Sequence, residues 1–208
     1  MLERLSADYR TNVAAMDEIL NVSGNFDIIK KPITVGEDEL TLYYIDGFVK
    51  DGVMEKLMLY FVSLKGLGEK TPDAARTFLN SHVPYVETDL CESVKTMVNM
   101  TLSGATLMLG SSFGSTAILI DARTYPARET AEPENDRVML GARDGFVETL
   151  IFNTALIRRR LRDTSLTMQY MSVGTSSVTD VVVCYMKGRA EEKNVEKITQ
   201  MLKNVRAE

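Results

Sequence analysis

Gly141-Ala142-Arg143-Asp144-Gly145-Phe146-Val147-Glu148-Thr149-Leu150-Ile151-Phe152-Asn153-Thr154-Ala155-Leu156-Ile157-Arg158-Arg159-Arg160-Leu161-Arg162-Asp163 is the stretch around which the chain is organised. Phe146, Val147, Leu150, Ile151, Thr154, Ile157 and Leu161 recur at helical spacing, which predicts a helix with one buried face. Asp144 is placed to cap the first free N–H groups, and four arginines crowd the last turn, where the helix dipole favours positive charge. A long polar loop precedes this helix and an apolar strand follows it.

The chain has 208 residues, 45% apolar and 25% charged, enough apolar material to build a core without disulfides. Cys91 and Cys184 lie far apart in apolar company and read as two reduced, buried thiols. A net charge of -5 argues against a general nucleic-acid binder. No run of about 18 apolar residues is present to span a membrane, and the N-terminus lacks a signal-peptide layout.

Residues 2–21 read as an amphipathic helix with Leu5, Tyr9, Val13, Met16 and Leu20 on its stripe. Residues 26–35 form an extended segment that Pro32 assigns to a sheet edge, and residues 40–45 a second strand. A helix lined by Val53, Leu57, Tyr60, Phe61 and Leu64 follows. Thr71-Pro72 opens another helix. Residues 85–88 read as a strand. Asp89-Leu90-Cys91-Glu92 has the form of a capping box for a helix carrying Val94, Met97 and Val98 inward. Residues 105–109 and 116–121 flank a Gly/Ser linker, which predicts a hairpin. Ala117-Ile118-Leu119-Ile120 shows no polar alternation, so both its faces are covered.

Residues 122–140, with Pro126, Pro133 and many charges, form the main boundary. Beyond the long helix, residues 167–173 and 180–186 are strands. The second is apolar on both faces and reads as central. A last helix, residues 191–205, places Val195, Ile198, Leu202 and Val205 inward. This final layer looks unfinished, and the natural protein is expected to continue past Glu208. The pattern predicts an α/β protein of two small subdomains with mixed sheets flanked by helices. Its divisions are residues 1–35 (N-terminal helix and edge segment), 36–124 (first subdomain) and 125–208 (linking loop and second subdomain).

Lys50-Asp51-Gly52-Val53-Met54-Glu55 echoes Arg143-Asp144-Gly145-Phe146-Val147-Glu148. Shared capping chemistry explains this more simply than duplication, because the flanks do not align. No catalytic constellation is present. His82 is the only histidine, with no Gly-x-Ser-x-Gly elbow, phosphate loop or dinucleotide fingerprint to accompany it. One His and two distant Cys do not make a zinc site. Glu129, Glu132, Glu134 and Asp136 lack calcium-loop spacing and read as solvated charge. No cofactor, metal site or catalytic residue is therefore expected. Arg158, Arg159, Arg160 and Arg162 exceed what dipole compensation needs. With Arg128 and Arg143 they are candidate contacts for lipid, a partner or a sister subunit.

Tyr125-Pro126-Ala127-Arg128 with Glu132-Pro133, then residues 141–148, Asn153-Thr154, Arg158 to Arg160 and Ser165-Leu166, resemble the A-subunit family of spore germinant receptors. Val173-Gly174 and Thr179-Asp180-Val181 continue the match. Residues 46–51 and 146–156 are similar to its stage V sporulation branch, and the resemblance runs from about Phe26 to Val205. Thr164 stands where the family usually has proline, and Ser176 and Val178 where basic residues are common. The resemblance implies a non-enzymatic region on the cytoplasmic side of the spore inner membrane. There it would precede a membrane-spanning part outside this chain, form a homo-oligomer, work with other spore membrane germination proteins, and act in ion release and amplification of germination. A small-ligand-binding module, with its ligand between the subdomains near residues 122–143, is the alternative.

Overall fold

Two hairpins build the central sheet of the computed structural model, which describes residues 2–83, 85, 87–124 and 145–205. In the first, β1 (Ile28–Val35) pairs with β2 (Asp38–Ile45). In the second, β4 (Thr106–Gly110) pairs with β5 (Ala117–Ile120) across the predicted Gly/Ser turn. With β3 (Thr88–Cys91) the order is β1-β2-β4-β5-β3, antiparallel throughout. Pro32 does lie on an edge strand, where its missing N–H breaks no interior ladder bond. A second sheet holds β6 (Leu166–Val173) and β7 (Thr179–Met186), also antiparallel. The class is α/β with two sheets. The only parallel pairing among the described residues is an isolated bridge, Asn25 to Met168.

Alternation along the strands sorts the core into two layers. Tyr43, Ile45, Leu107, Leu109 and Leu119 pack under α1 (Tyr9–Ile19) and α4 (Val94–Leu102). Leu40, Leu42, Met108, Ile118 and Ile120 pack under α2 (Asp51–Ser63) and α3 (Ala74–His82). Successive strand residues point to opposite faces, so in a sheet covered on both sides every position is buried, as in β4 and β5; the one polar side chain among them, Thr106, donates to Met54 Sδ. Tyr43 fixes α1 on its layer: its hydroxyl donates to the Val13 carbonyl at 3.1 Å and to Asp17 at 2.8 Å. Burial, with Asp17 beside it, pushes that phenol far above its ordinary range.

Several boundaries move. The long helix, α5, spans Leu150–Arg160 with Thr149 at its N-cap. Residues 145–149 are not helical. The Asn153 amide holds this lead-in, accepting from the Val147 N–H at 2.7 Å and donating to its carbonyl at 2.6 Å. Phe146 is 69% exposed and Leu161 46%, so the buried stripe is shorter than the periodicity suggested. Asp144 lies outside the described residues. Ser93, not Asp89, caps α4, accepting from the Thr96 N–H. Asp89 belongs to β3, because pairing with Leu119 holds it in the ladder. The echo between residues 50–55 and 143–148 also separates. Asp51 opens α2 at once, whereas Gly145 to Glu148 stay outside α5.

α5 reaches the main body at a glycine. Gly47 has φ +78°, and a Cβ there would lie 3.0 Å from Ile151 Cγ2 and 3.4 Å from Ala155 Cβ. Gly47→Ala meets both the left-handed penalty and this contact. It is expected to lower stability by about 1–2 kcal/mol, read as a shift in urea midpoint without a change of slope.

Candidate functional site

Arg158, one of the candidate contacts for lipid, a partner or a sister subunit, is turned inward. It is 0% exposed. Its Nε donates to Asp27 Oδ2 at 2.8 Å and Nη2 to Asp27 Oδ1 at 3.0 Å, a two-point contact that matches guanidinium to carboxylate. Nη2 also donates to Asn25 Oδ1 at 3.1 Å, and Nη1 to the Asp163 carbonyl at 3.3 Å. The Leu166 carbonyl accepts at 3.5 Å. The guanidinium is occupied inside the chain, which removes Arg158 from the set of external contacts. Buried charge is tolerated here because the guanidinium finds acceptors in Asp27, Asn25 and the Asp163 and Leu166 carbonyls.

Asn25 extends this cluster. Its Oδ1 accepts from the Met168 N–H at 2.8 Å, and its Nδ2 donates to the Asn21 carbonyl at 3.1 Å. The Phe26 N–H donates to the Met168 carbonyl, and the Asp46 N–H to the Asp27 carbonyl. One polar knot thus joins α5, the start of β6, the segment before β1 and the end of β2. Neither Asn25 nor Asp27 stood out in the sequence. The available signal was Arg158 itself, four residues beyond buried Thr154 on the inward face and therefore in need of a buried acid.

The remaining arginines divide. Arg159, Arg160 and Arg162 are exposed. Arg162 folds back over two helix ends, its Nε on the Arg159 carbonyl at 3.3 Å and its Nη1 on Ser103 Oγ at 3.2 Å. Ser103 is the C-cap of α4, so Arg162 links the negative ends of two helix dipoles. Arg128 and Arg143 lie outside the described residues, as do Glu129, Glu132, Glu134 and Asp136. Cys91 is buried, whereas Cys184 is exposed and so departs from the expected pair of buried thiols; both are free.

A cleft of about 820 Å³ opens between β6–β7 and α6 (Glu192–Lys203). Thr167, Gln169, Tyr185, Lys193, Thr199 and Lys203 are among its lining. Gln169 donates to the Tyr185 hydroxyl at 3.0 Å. Among the described residues no group of three or more His, Cys, Asp or Glu is placed to hold a metal ion, and no helix is long and apolar enough to cross a membrane.

Residues 14–208 match the model of a family described as Bacillus/Clostridium GerA spore germination protein. The chain belongs to the GerA family of spore germination proteins. Among its relatives is stage V sporulation protein AF of Bacillus subtilis (strain 168), 31% identical over 87% of this chain and 36% of that protein. Spore germination protein B1 of the same organism is 24% identical over 89% of this chain and 40% of its own length. The chain therefore spans between a quarter and two fifths of the length of the curated relatives it matches. Its fold is that of the crystal structure of the N-terminal domain of the A subunit of the Bacillus megaterium spore germinant receptor GerK3. The TM-score is 0.74, with 19% identity, over 99% of this chain and 75% of that one.

Removing one partner of a buried pair leaves an uncompensated charge. Arg158→Ala is expected to cost about 3–5 kcal/mol, whereas Arg159→Ala and Arg160→Ala should stay within about 0.5 kcal/mol of the parent; urea midpoints check both. Asp46 provides a pH test. Burial, with Asp51 and Asp27 nearby, holds its carboxyl above the ordinary range. A raised carboxyl pKa favours the native state below the unfolded pKa, and that stability is lost as pH rises through the folded value. Asp46→Asn should therefore raise the melting temperature at neutral pH, with the gain shrinking toward acidic pH.

Proposed function

We propose that this chain is the cytoplasmic assembly and gating region of a spore inner-membrane germination protein of the germinant-receptor A-subunit type. The larger protein acts in ion release and in amplifying the germination response. It is anchored through a membrane-spanning part outside this chain, forms a homo-oligomer, and works alongside other spore membrane germination proteins. The observation that carries this reading is the GerA-family match over residues 14–208, together with the fold shared with a receptor A-subunit N-terminal domain. The region is read as non-catalytic and as no nucleic-acid binder, in keeping with its net charge of -5.

Exposed apolar surface supports an assembly role. Ile198 and Met201 on α6 are 50% and 61% exposed, more than an isolated helix stripe leaves open when it has a partner. Arg159, Arg160 and Arg162, with Arg128 and Arg143, are proposed contact groups for anionic lipid or an acidic partner face. The cleft under α6 favours a second reading, a small-ligand-binding module, with the ligand there rather than near residues 122–143.

Spores carrying the full-length protein with Arg158→Ala, at matched protein level, are expected to release monovalent cations and germinate more slowly than the parent. Unchanged ion release in spores lacking the gene would contradict the proposed role. A saturable thermal shift with one amino acid, sugar or nucleotide would favour the ligand-binding reading instead.

A further inference from the structure

The hairpin between β4 and β5 is longer than its turn requires. About two residues suffice to join antiparallel strands, yet Ser111-Ser112-Phe113-Gly114-Ser115-Thr116 separate Gly110 from Ala117. The function proposed above makes no use of this loop. It lies where β2 begins, since Leu40 pairs with Gly110. The Arg158 cluster and α5 meet the other end of β2, at Asp46 and Gly47. The cleft under α6 shares no lining residue with it.

Three elements hold the loop in one shape. From β2, Asp38 Oδ1 accepts from the Ser111 hydroxyl at 2.8 Å, and the Glu39 N–H donates to that hydroxyl at 3.1 Å. From α1, Asn12 Nδ2 donates to the Gly114 carbonyl at 3.3 Å; Asn12 is 3% exposed, and Gly114 takes the bend at φ +61°. From α3, Phe78 packs against Phe113 with ring centroids 5.2 Å apart. A loop already fixed loses little further freedom when it closes on a ligand.

Within this frame one polar group is unmet. Ser112 is 3% exposed, and its Oγ has no hydrogen-bond partner. Buried polar atoms are nearly always bonded, and one left unbonded costs stability. Ser112 lines a cleft of about 470 Å³ with Lys70, Thr71, Ser115, Thr116 and Glu92, toward the lower end of small-molecule sites. Lys70 and Thr71 come from the segment that leads into α3. Glu92 does not cancel the lysine: its side chain is 58% exposed and faces Arg4 at 3.6 Å. Hydroxyl and ammonium donors around a compact space suit an oxyanion. Phosphate, with its charge and several strong acceptor oxygens, uses both kinds of donor at once.

We propose that the cleft beside the β4–β5 loop binds the phosphate group of a small solute, with the Ser112 hydroxyl and the Lys70 ammonium as donors. The unmet hydroxyl is then kept at a cost in stability because the ligand uses it. This site does not depend on any role in germination.

NMR titration of the 208-residue chain at constant ionic strength tests it, with inorganic phosphate, glycerol 3-phosphate and, as the uncharged match, glycerol. Both phosphates are expected to shift the Ser112, Gly114 and Ser115 amides saturably, with a Kd of about 1 mM or below; glycerol is not. Lys70→Met and Ser112→Ala should each weaken binding at least about tenfold, the scale of one hydrogen bond to a charged group. Lys95→Met, outside the cleft, should leave binding unchanged. Without ligand, Ser112→Ala should keep or raise the urea midpoint, because it removes an unmet buried hydroxyl. No saturation by about 10 mM of either phosphate overturns the proposal, as does an equal response to glycerol. Binding that survives both Lys70→Met and Ser112→Ala overturns it as an adventitious ion only. A Ser112→Ala chain that is less stable yet binds like the parent overturns it by giving the hydroxyl a structural role. A response to phosphatidylglycerol vesicles but to neither soluble phosphate overturns it in favour of a lipid headgroup.

Discussion

A charge with no access to water governs how this chain is put together. Arg158 projects from α5 into a space closed by Asp27, Asn25 and the Leu166 carbonyl. Desolvating a guanidinium costs several kcal/mol, recovered only if its donors find acceptors in good geometry. That requirement fixes α5, β6 and the segment before β1 relative to one another. Apolar packing alone is less particular about register. Gly47 then sets how closely α5 can approach, and the Asp46 N–H ties the end of β2 to the Asp27 backbone.

Local signals were easiest to read where the chemistry was local. The β4–β5 hairpin followed from two apolar runs around Gly110 to Ser115, and both-face burial followed from the unalternating Ala117 to Ile120. Pro32 announced an edge. The family was legible through motifs spread from residue 125 to 185, several of which lie outside the described residues. Long-range polar pairing was not legible. Asp27 looks like any acid beside a strand, and its partner lies 131 residues away. A helix turns about 100° per residue, so three adjacent arginines cannot share one face, but the spacing alone does not say which of them turns inward. One arginine faces the interior, one folds over two helix ends, and two face outward. The capping box at Asp89 failed for a related reason: strand pairing with β5 outweighed a capping geometry that Ser93 could supply as well.

β7 misled differently. A strand apolar on both faces normally sits at the centre of a sheet, but this one is an edge, and α6 beside it leaves its apolar residues exposed.

The most direct test is a double-mutant cycle in urea on Arg158→Met and Asp27→Leu, the pair being replaced by apolar groups of similar length. A buried, mutually dependent pair predicts single variants that each lose far more than the double, with a coupling of at least about 2 kcal/mol. Single losses that simply add, within about 0.5 kcal/mol, would show that the two residues act independently and that something else holds α5 to the body.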